Sequence, residues 1–84
     1  MSPDDIRQAI TALPYRPFTL HTADGRAFPI HARDLVMVSP RGLTVDVYQP
    51  DDRLNMLDTI QITAISFEPP AKAVSGQQSQ QTNP

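Results

Sequence analysis

The pair Asp24-Gly25 constrains the fold of this chain most strongly, because it lies between two segments that alternate apolar and polar residues. An Asp-Gly pair in that setting is among the strongest short-range signals for a β-hairpin. Glycine adopts the left-handed backbone of a three-residue loop without steric cost, so the predicted loop is Ala23-Asp24-Gly25. The register is then Phe18 opposite Ile30, Leu20 opposite Phe28 and Thr22 opposite Arg26. One face of the hairpin is therefore largely apolar.

A short amphipathic helix precedes the hairpin. Ser2 is a suitable N-cap, and Pro3 suits the first helical position. Pro14 disfavours helical backbone at Leu13 and is expected to end the helix there. The apolar stripe of this helix consists of Ile6, Ile10 and Leu13.

The segment after the hairpin predicts further short strands joined by tight turns. These strands cover residues 34–39, 43–48, 54–57 and 62–67, with one helical turn or a sharp corner at 58–61. The three residues Pro40-Arg41-Gly42 form the predicted loop of a second hairpin. That loop places Met37 opposite Val45 and leaves Val36 and Val38 on the other face, beside Thr44 and Asp46.

The predicted fold is mainly β, of the α+β class, and covers residues 1–68. An N-terminal helix is followed by five or six short antiparallel strands that close into a small barrel, because an open sheet of this size leaves two exposed edges and one wet face. Residues 69–84, rich in Pro, Gln and Ser, predict a disordered tail. The expected core is Ile6, Ile10, Leu13, Phe18, Leu20, Phe28, Ile30, Leu35, Met37, Val45, Val47, Met56, Ile62 and Ile65.

The amino-acid composition excludes several kinds of site and several classes of protein. The 84 residues contain no cysteine, which excludes disulfides, thiolate-held zinc and a thiol nucleophile. The net charge of −2 gives no reason to expect tight binding to a phosphate backbone. No apolar run approaches the roughly 20 residues of a membrane span, and the acidic start Ser2-Pro3-Asp4-Asp5 is unlike a signal peptide, so a cytoplasmic protein is expected.

The order of these elements resembles the SH3-like small barrels, and most closely the Sm-like family, which includes the bacterial RNA chaperone Hfq. This resemblance covers residues 3–67 and implies an RNA-binding ring. Hfq carries a Tyr/Phe-Lys-His motif that contacts RNA in its last two strands. The corresponding segment here is Met56-Leu57-Asp58-Thr59-Ile60, with an acid and neither Lys nor His. The RNA-binding residues of the family therefore do not transfer to this chain.

A second resemblance is more literal. The run Pro14-Tyr15-Arg16-Pro17-Phe18-Thr19-Leu20-His21, followed by Asp24-Gly25-Arg26 and later by Val38-Ser39-Pro40 and Gly42, is similar to a widespread family of small uncharacterised bacterial proteins. Members of that family begin with a short helix and carry an "RPF" strand and an Asp-Gly turn. They have no assigned activity, so the resemblance implies no catalytic or binding residues.

No catalytic, cofactor or metal site is predicted. His21 and His31 share the polar face of the first hairpin but lie roughly 14 Å apart, too far to bind one metal ion. The chain has no Ser-His-Asp order with an elbow glycine and no phosphate-binding loop. An enzyme is therefore not expected.

A polar recognition site is predicted at the base of the first hairpin, where Tyr15, Arg16 and Arg33 converge. An arginine beside an aromatic ring can bind a base or a peptide carboxylate. The alternative interpretation is that these are solvated turn residues with one salt bridge.

A self-association surface is predicted on the second face of the second hairpin. Its residues are Val36, Val38, Tyr48 and Leu57. Such an apolar face is more than a small monomer usually exposes, and open strand edges can pair with another chain. We therefore predict a non-catalytic protein-interaction module that forms a homo-oligomer or binds a protein partner, with the Hfq-like RNA-binding ring as the alternative. Substitution of Val38 by Lys is expected to disrupt assembly and leave the fold intact.

Overall fold

The structure is a computed structural model that describes residues 1–68. That range contains one α-helix, six strands and two single-turn 3-10 helices. The elements in order are α1 (Pro3–Thr11), β1 (Phe18–Thr22), β2 (Ala27–Ile30), a 3-10 turn (Arg33–Leu35), β3 (Val36–Val38), β4 (Thr44–Tyr48), β5 (Leu54–Asp58), a 3-10 turn (Thr59–Gln61) and β6 (Ile62–Phe67). This confirms the predicted mainly β, α+β order. The predicted tail lies outside the described residues.

Helix α1 begins as its capping residues predict. The Ser2 side chain accepts a hydrogen bond from the amide of Asp4 at 3.2 Å. The helix ends at Thr11, two residues earlier than predicted, so Leu13 leaves the apolar stripe and is 86% exposed. The core position predicted for Leu13 is therefore wrong. The helix buries Ile6 and Ala9.

The first sheet has the strand order β2-β1-β6, and all of its pairs are antiparallel. The hairpin of β1 and β2 has the predicted register, with Phe18 opposite Ile30 and Leu20 opposite Phe28. Gly25 has a φ of +86° in the predicted loop, a left-handed backbone that suits glycine. The apolar side chains of this hairpin supply a large part of the core.

The second sheet has the order β3-β4-β5, and its first hairpin is one residue out of the predicted register. Val38 pairs with Val45, whereas the sequence prediction paired Met37 with Val45. The difference arises because the loop contains four residues, 40–43, instead of three. Ser39 at the end of the ladder therefore pairs with Thr44, to whose carbonyl its amide donates at 2.9 Å, and not with Leu43 as the predicted loop requires.

This shift decides which side chains of the second sheet face the core, because a one-residue slip moves a strand's side chains to its other face. Met37 and Met56 are 66% and 69% exposed, so their predicted core positions are wrong. Val36 and Leu57 are buried, and Val38 packs against the core, so these three do not form the predicted exposed face. Val38→Lys is therefore expected to destabilise the fold, so it does not report on assembly alone.

The strands of residues 1–68 form two separate sheets and not the closed barrel that the sequence predicted. The chain passes from the first sheet to the second through Arg33–Leu35 and returns through Thr59–Gln61. Local 3-10 hydrogen bonds replace the ladder at both crossings. One buried cluster still joins α1 to both sheets, and its members are Ile6, Ala9, Phe18, Leu20, Phe28, Ile30, Val36, Val45, Val47, Leu57 and Ile62. No helix in the described range is long and apolar enough to span a membrane.

The loop between β3 and β4 packs directly against the start of α1. Gly42 has a φ of +76°, and a Cβ atom there would lie 2.7 Å from Cγ of Pro3. Arg7 on the same helix donates a hydrogen bond to the carbonyl of Ser39 at 3.0 Å. From the other side, the buried hydroxyl of Thr59 donates to the carbonyl of Gly42 at 2.6 Å. The loop is therefore fixed between the helix and the crossing that leads to β6.

Gly42→Ala is expected to destabilise the fold more than Gly25→Ala. Both changes place a side chain at positive φ, which costs roughly 1 kcal/mol, but only the Cβ at Gly42 collides with a neighbour. The collision with Pro3 adds about 1 kcal/mol or more, because the helix must shift away from the loop. Urea unfolding of both variants and the parent gives the two losses. Equal losses would contradict the close packing of α1 on this loop.

A small network at the tip of the first hairpin depends on an ionised carboxylate. The hydroxyl of Thr22 and the Nε of Arg26 each donate to the carboxylate of Asp24, the latter at 2.9 Å. These contacts lower the pKa of Asp24, with the Thr22 hydrogen bond the largest cause. The carboxylate of Asp24 is therefore ionised at neutral pH and accepts both hydrogen bonds.

Asp24→Asn is expected to lower the free energy of unfolding at neutral pH but to matter less in acid. A lowered native pKa gives stability that is present above the ordinary aspartate value of 3.8 and is lost as pH falls through the native pKa. Urea unfolding of parent and variant in a pH series from neutral to about pH 3 measures the difference. A difference that stays constant across this series would contradict the role of the carboxylate.

Candidate interaction surface

The solvent side of the second sheet combines exposed apolar side chains with carboxylates. Strand alternation sends one side chain in two away from the core, and we call the resulting surface the outer face. It consists of Met37, Thr44, Asp46, Tyr48, Leu54, Met56 and Asp58. Besides the two methionines, Tyr48 and Leu54 are 46% and 47% exposed. An apolar surface of this kind on so small a domain is typical of an interaction site.

Asp46 lies at the centre of the outer face. In the strand register it is directly between Met37 on β3 and Met56 on β5. Its Oδ1 atom is buried and has no hydrogen-bond partner within residues 1–68. A buried polar atom without a partner costs free energy, so residues 1–68 leave this oxygen of Asp46 unsatisfied.

A depression of about 120 Å³ opens beside this carboxylate. It is lined by Asp34, Val36, Met37, Asp46, Tyr48 and Leu54. Asp34 adds a second carboxylate from the first 3-10 turn, and Tyr48 adds an aromatic ring. The outer face itself contains no Lys or Arg. Two carboxylates and a ring form an environment that suits a cationic hydrogen-bond donor.

The outer face continues into the β3–β4 loop. Leu43 in this loop is 67% exposed. A shallow groove of about 400 Å³ is lined here by Ser39, Pro40, Arg41, Leu43 and Thr44. Because Thr44 also belongs to the outer face, the groove and that face form one surface. Arg41 is exposed at its rim.

The structure divides the predicted polar site between two places. Arg33 lies over the ring of Tyr15, 5.3 Å from its centre, and donates to the carbonyl of Ala12 at 3.1 Å, where helix α1 ends. Arg16 instead lies 5.0 Å from the centre of the Phe67 ring. The sequence correctly predicts that Tyr15 and Arg33 meet, but Arg16 is directed toward β6.

The contacts of this predicted site are largely internal to the chain. The hydroxyl of Tyr15 donates to the carbonyl of Ile30 at 2.7 Å. Burial raises the pKa of Tyr15, and the nearby Arg33 charge opposes this effect. Arg16 donates to the carbonyl of Glu68 at 3.2 Å. All three residues thus hold neighbouring segments together, and binding of a base or a carboxylate by them stays a prediction.

A larger groove of about 440 Å³ lies between α1 and β6. Its lining residues are Met1, Asp5, Gln8, Ala9, Ala12, Arg16, Ile65 and Phe67. Of the three residues of the predicted polar site, Arg16 lines this groove. Asp5 contributes the opposite charge, so the charged groups of the groove are balanced.

The histidines lie on the exposed side of the first sheet. Nε2 of His21 is 2.8 Å from the hydroxyl of Ser66 on β6, and His31 is exposed just after β2. Over residues 1–68 there is no group of three or more His, Asp or Glu side chains placed to hold a metal ion. A hydrogen bond between neighbouring strands accounts for His21.

Comparison with protein-family models finds no match for this chain, and comparisons with curated proteins and with solved structures find none either. The resemblances to the SH3-like and Sm-like barrels and to the small bacterial family therefore stay predictions. The function is therefore inferred from the geometry of the surfaces described above.

The sequence prediction identifies the sheet that carries the outer face but misses most of its apolar residues. Tyr48 is the member of the predicted self-association set that lies on this face. Met37, Leu54 and Met56 were missed. The signal that would have found them is Ser39, whose hydroxyl accepts hydrogen bonds from the amides of Leu43 and Thr44 and so favours a four-residue loop.

Asp46→Thr is expected to raise the free energy of unfolding by about 1 kcal/mol, because it removes a buried carboxylate oxygen that has no partner. Asp58→Thr is the matched control, since it removes an exposed carboxylate from the same face and is expected to stay within about 0.5 kcal/mol of the parent. Urea unfolding at low protein concentration measures both. A destabilised Asp46→Thr variant would show that this carboxylate has a structural role within one chain.

Proposed function

We propose that this protein is a non-catalytic protein-interaction module that self-associates through the outer face. The observation that carries the proposal is the central row of this face, where the exposed side chains of Met37 and Met56 flank the unpartnered carboxylate of Asp46. Methionine and tyrosine are enriched at protein interfaces. A second copy that covers this row would bury apolar surface and bring a hydrogen-bond donor to the carboxylate of Asp46.

The size of the domain supports the same proposal. A domain of about 60 residues buries only about 60% of the surface that its unfolded chain exposes, so its core is marginal. Burial of apolar surface contributes about 25 cal/mol for each Å². The chain has no cysteine for a disulfide, so added burial in an oligomer is the available route to further stability.

The RNA-binding ring has less support. Five of the six arginines in residues 1–68 donate hydrogen bonds within the chain: Arg7, Arg16, Arg26, Arg33 and Arg53. In that range, Arg41 is the arginine without such a contact. The outer face carries the carboxylates of Asp46 and Asp58 and no cation. Phosphate binding depends on available Lys and Arg, so this surface favours a protein partner.

The double variant Met37→Lys/Met56→Lys tests the proposal by sedimentation equilibrium. The parent is expected to sediment as an oligomer and the variant as a monomer with an unchanged circular dichroism spectrum, because both side chains are exposed in one chain. Leu13→Lys is the matched control, since Leu13 is equally apolar and exposed but lies at the end of α1.

Two outcomes would contradict the proposal: a parent that is monomeric at all concentrations, or a double variant with the mass of the oligomeric parent. The ratio of absorbance at 260 and 280 nm of the purified parent is measured on the same sample. A particle that carries nucleic acid would instead favour the RNA-binding alternative.

A further inference from the structure

We infer that the occupant of the depression beside Asp46 is the guanidinium of Arg41 from a second copy of this chain. The inference rests on the proposed self-association and specifies the contact that directs it. Two groups of opposite charge lie on one continuous surface: the carboxylates of Asp46 and Asp34, which line the depression, and the exposed Arg41, which has no acceptor within residues 1–68. Their pairing between two copies satisfies both.

Among the arginines of residues 1–68, Arg41 is the one without a partner in that range. The ion pairs of residues 1–68 are Arg7 with Asp4, Arg26 with Asp24 and Arg53 with Asp51. Arg16 and Arg33 lie over aromatic rings and donate to main-chain carbonyls. Arg41 makes no hydrogen bond, ion pair or aromatic contact with the described residues. It is therefore the available guanidinium at this end of the second sheet.

The depression matches a guanidinium in shape and chemistry. Asp46 and Asp34 supply carboxylate oxygens, and Tyr48 supplies a ring on which a planar cation stacks. The volume of about 120 Å³ suits a side-chain group and not a larger ligand. A hydrogen bond between charged groups is strongest where water is excluded, and the exposed methionines on either side would exclude it once a second copy is bound.

The positions of the two residues predict the symmetry of the pair. In a two-fold dimer each contact occurs twice, so Arg41 of each copy meets Asp46 of the other when the β4 strands lie antiparallel across the interface. The two-fold axis then lies between the loop that carries Arg41 and the middle of β4, near the start of that strand. The exposed Leu43 side chains enter the groove of about 400 Å³ at this axis. The interface therefore has an apolar centre and a charged contact on each side.

A charge exchange tests the inference. Arg41→Asp and Asp46→Arg are each expected to weaken the dimer by about 100- to 10,000-fold, because each variant removes both copies of a charged hydrogen bond that contributes about 10- to 100-fold. The double variant Arg41→Asp/Asp46→Arg is expected to recover most of this loss, because each charge again meets its opposite. Arg26→Asp is the control for a charge reversal away from the outer face, since Arg26 lies in the turn before β2; its loss of the Asp24 contact is measured separately by urea unfolding. Sedimentation equilibrium of all five proteins gives the dissociation constants, and circular dichroism confirms folding.

The outcomes separate this inference from the proposed function. A dimeric parent whose dissociation constant is unchanged by Arg41→Asp would overturn the Arg41–Asp46 contact and leave self-association in place. A double variant no tighter than the single variants, or a parent that assembles into more than two copies, would also overturn the contact and its symmetry. A parent that is monomeric at all concentrations would overturn both. Because Arg41 has no partner within residues 1–68, Arg41→Asp keeps the test valid even where Asp46→Arg fails to fold.

Discussion

The loop between β3 and β4 holds the helix and the two sheets in place. Gly42 gives α1 the room to pack on this loop, since any Cβ there collides with Pro3. Thr59 approaches from the crossing between the sheets, and its amide and hydroxyl donate to the carbonyls of Leu43 and Gly42 at 3.0 and 2.6 Å. These contacts therefore fix the point at which the chain leaves the second sheet and returns to the first. The direction in which the outer face points follows from the same contacts.

How far the sequence predicts each hairpin depends on whether one of its faces is clearly polar. In β1 the apolar Phe18 and Leu20 alternate with Thr19 and His21, so a single register buries the apolar side. From Leu35 to Val38 both sets of alternate residues are apolar: Leu35 and Met37 form one set, and Val36 and Val38 form the other. Burial of apolar side chains therefore does not determine which set faces the core. The choice is made by Ser39 and the four-residue loop that it closes, a local detail that apolar patterning does not show.

The sequence likewise predicts some features of the candidate surface and not others. The position of Asp46 between the core residues Val45 and Val47 correctly predicts that its carboxylate faces outward. That its Oδ1 has no partner was not predictable, because this depends on which residues of β3 and β5 flank it. The meeting of Tyr15 and Arg33 follows from the register of the first hairpin. The contact of Arg16 with β6 depends on long-range pairing.

The pairing of β6 with β1 orders the events of folding. Thr22 and Ile62 are partners forty residues apart, whereas the second sheet joins strands that follow one another along the chain. Closing a long loop costs more entropy than closing two short ones, so the local hairpins form readily and the long-range ladder forms late. On the ribosome, β3, β4 and β5 emerge before β6. A nascent chain therefore forms the second sheet before Ile62 completes the core beneath it.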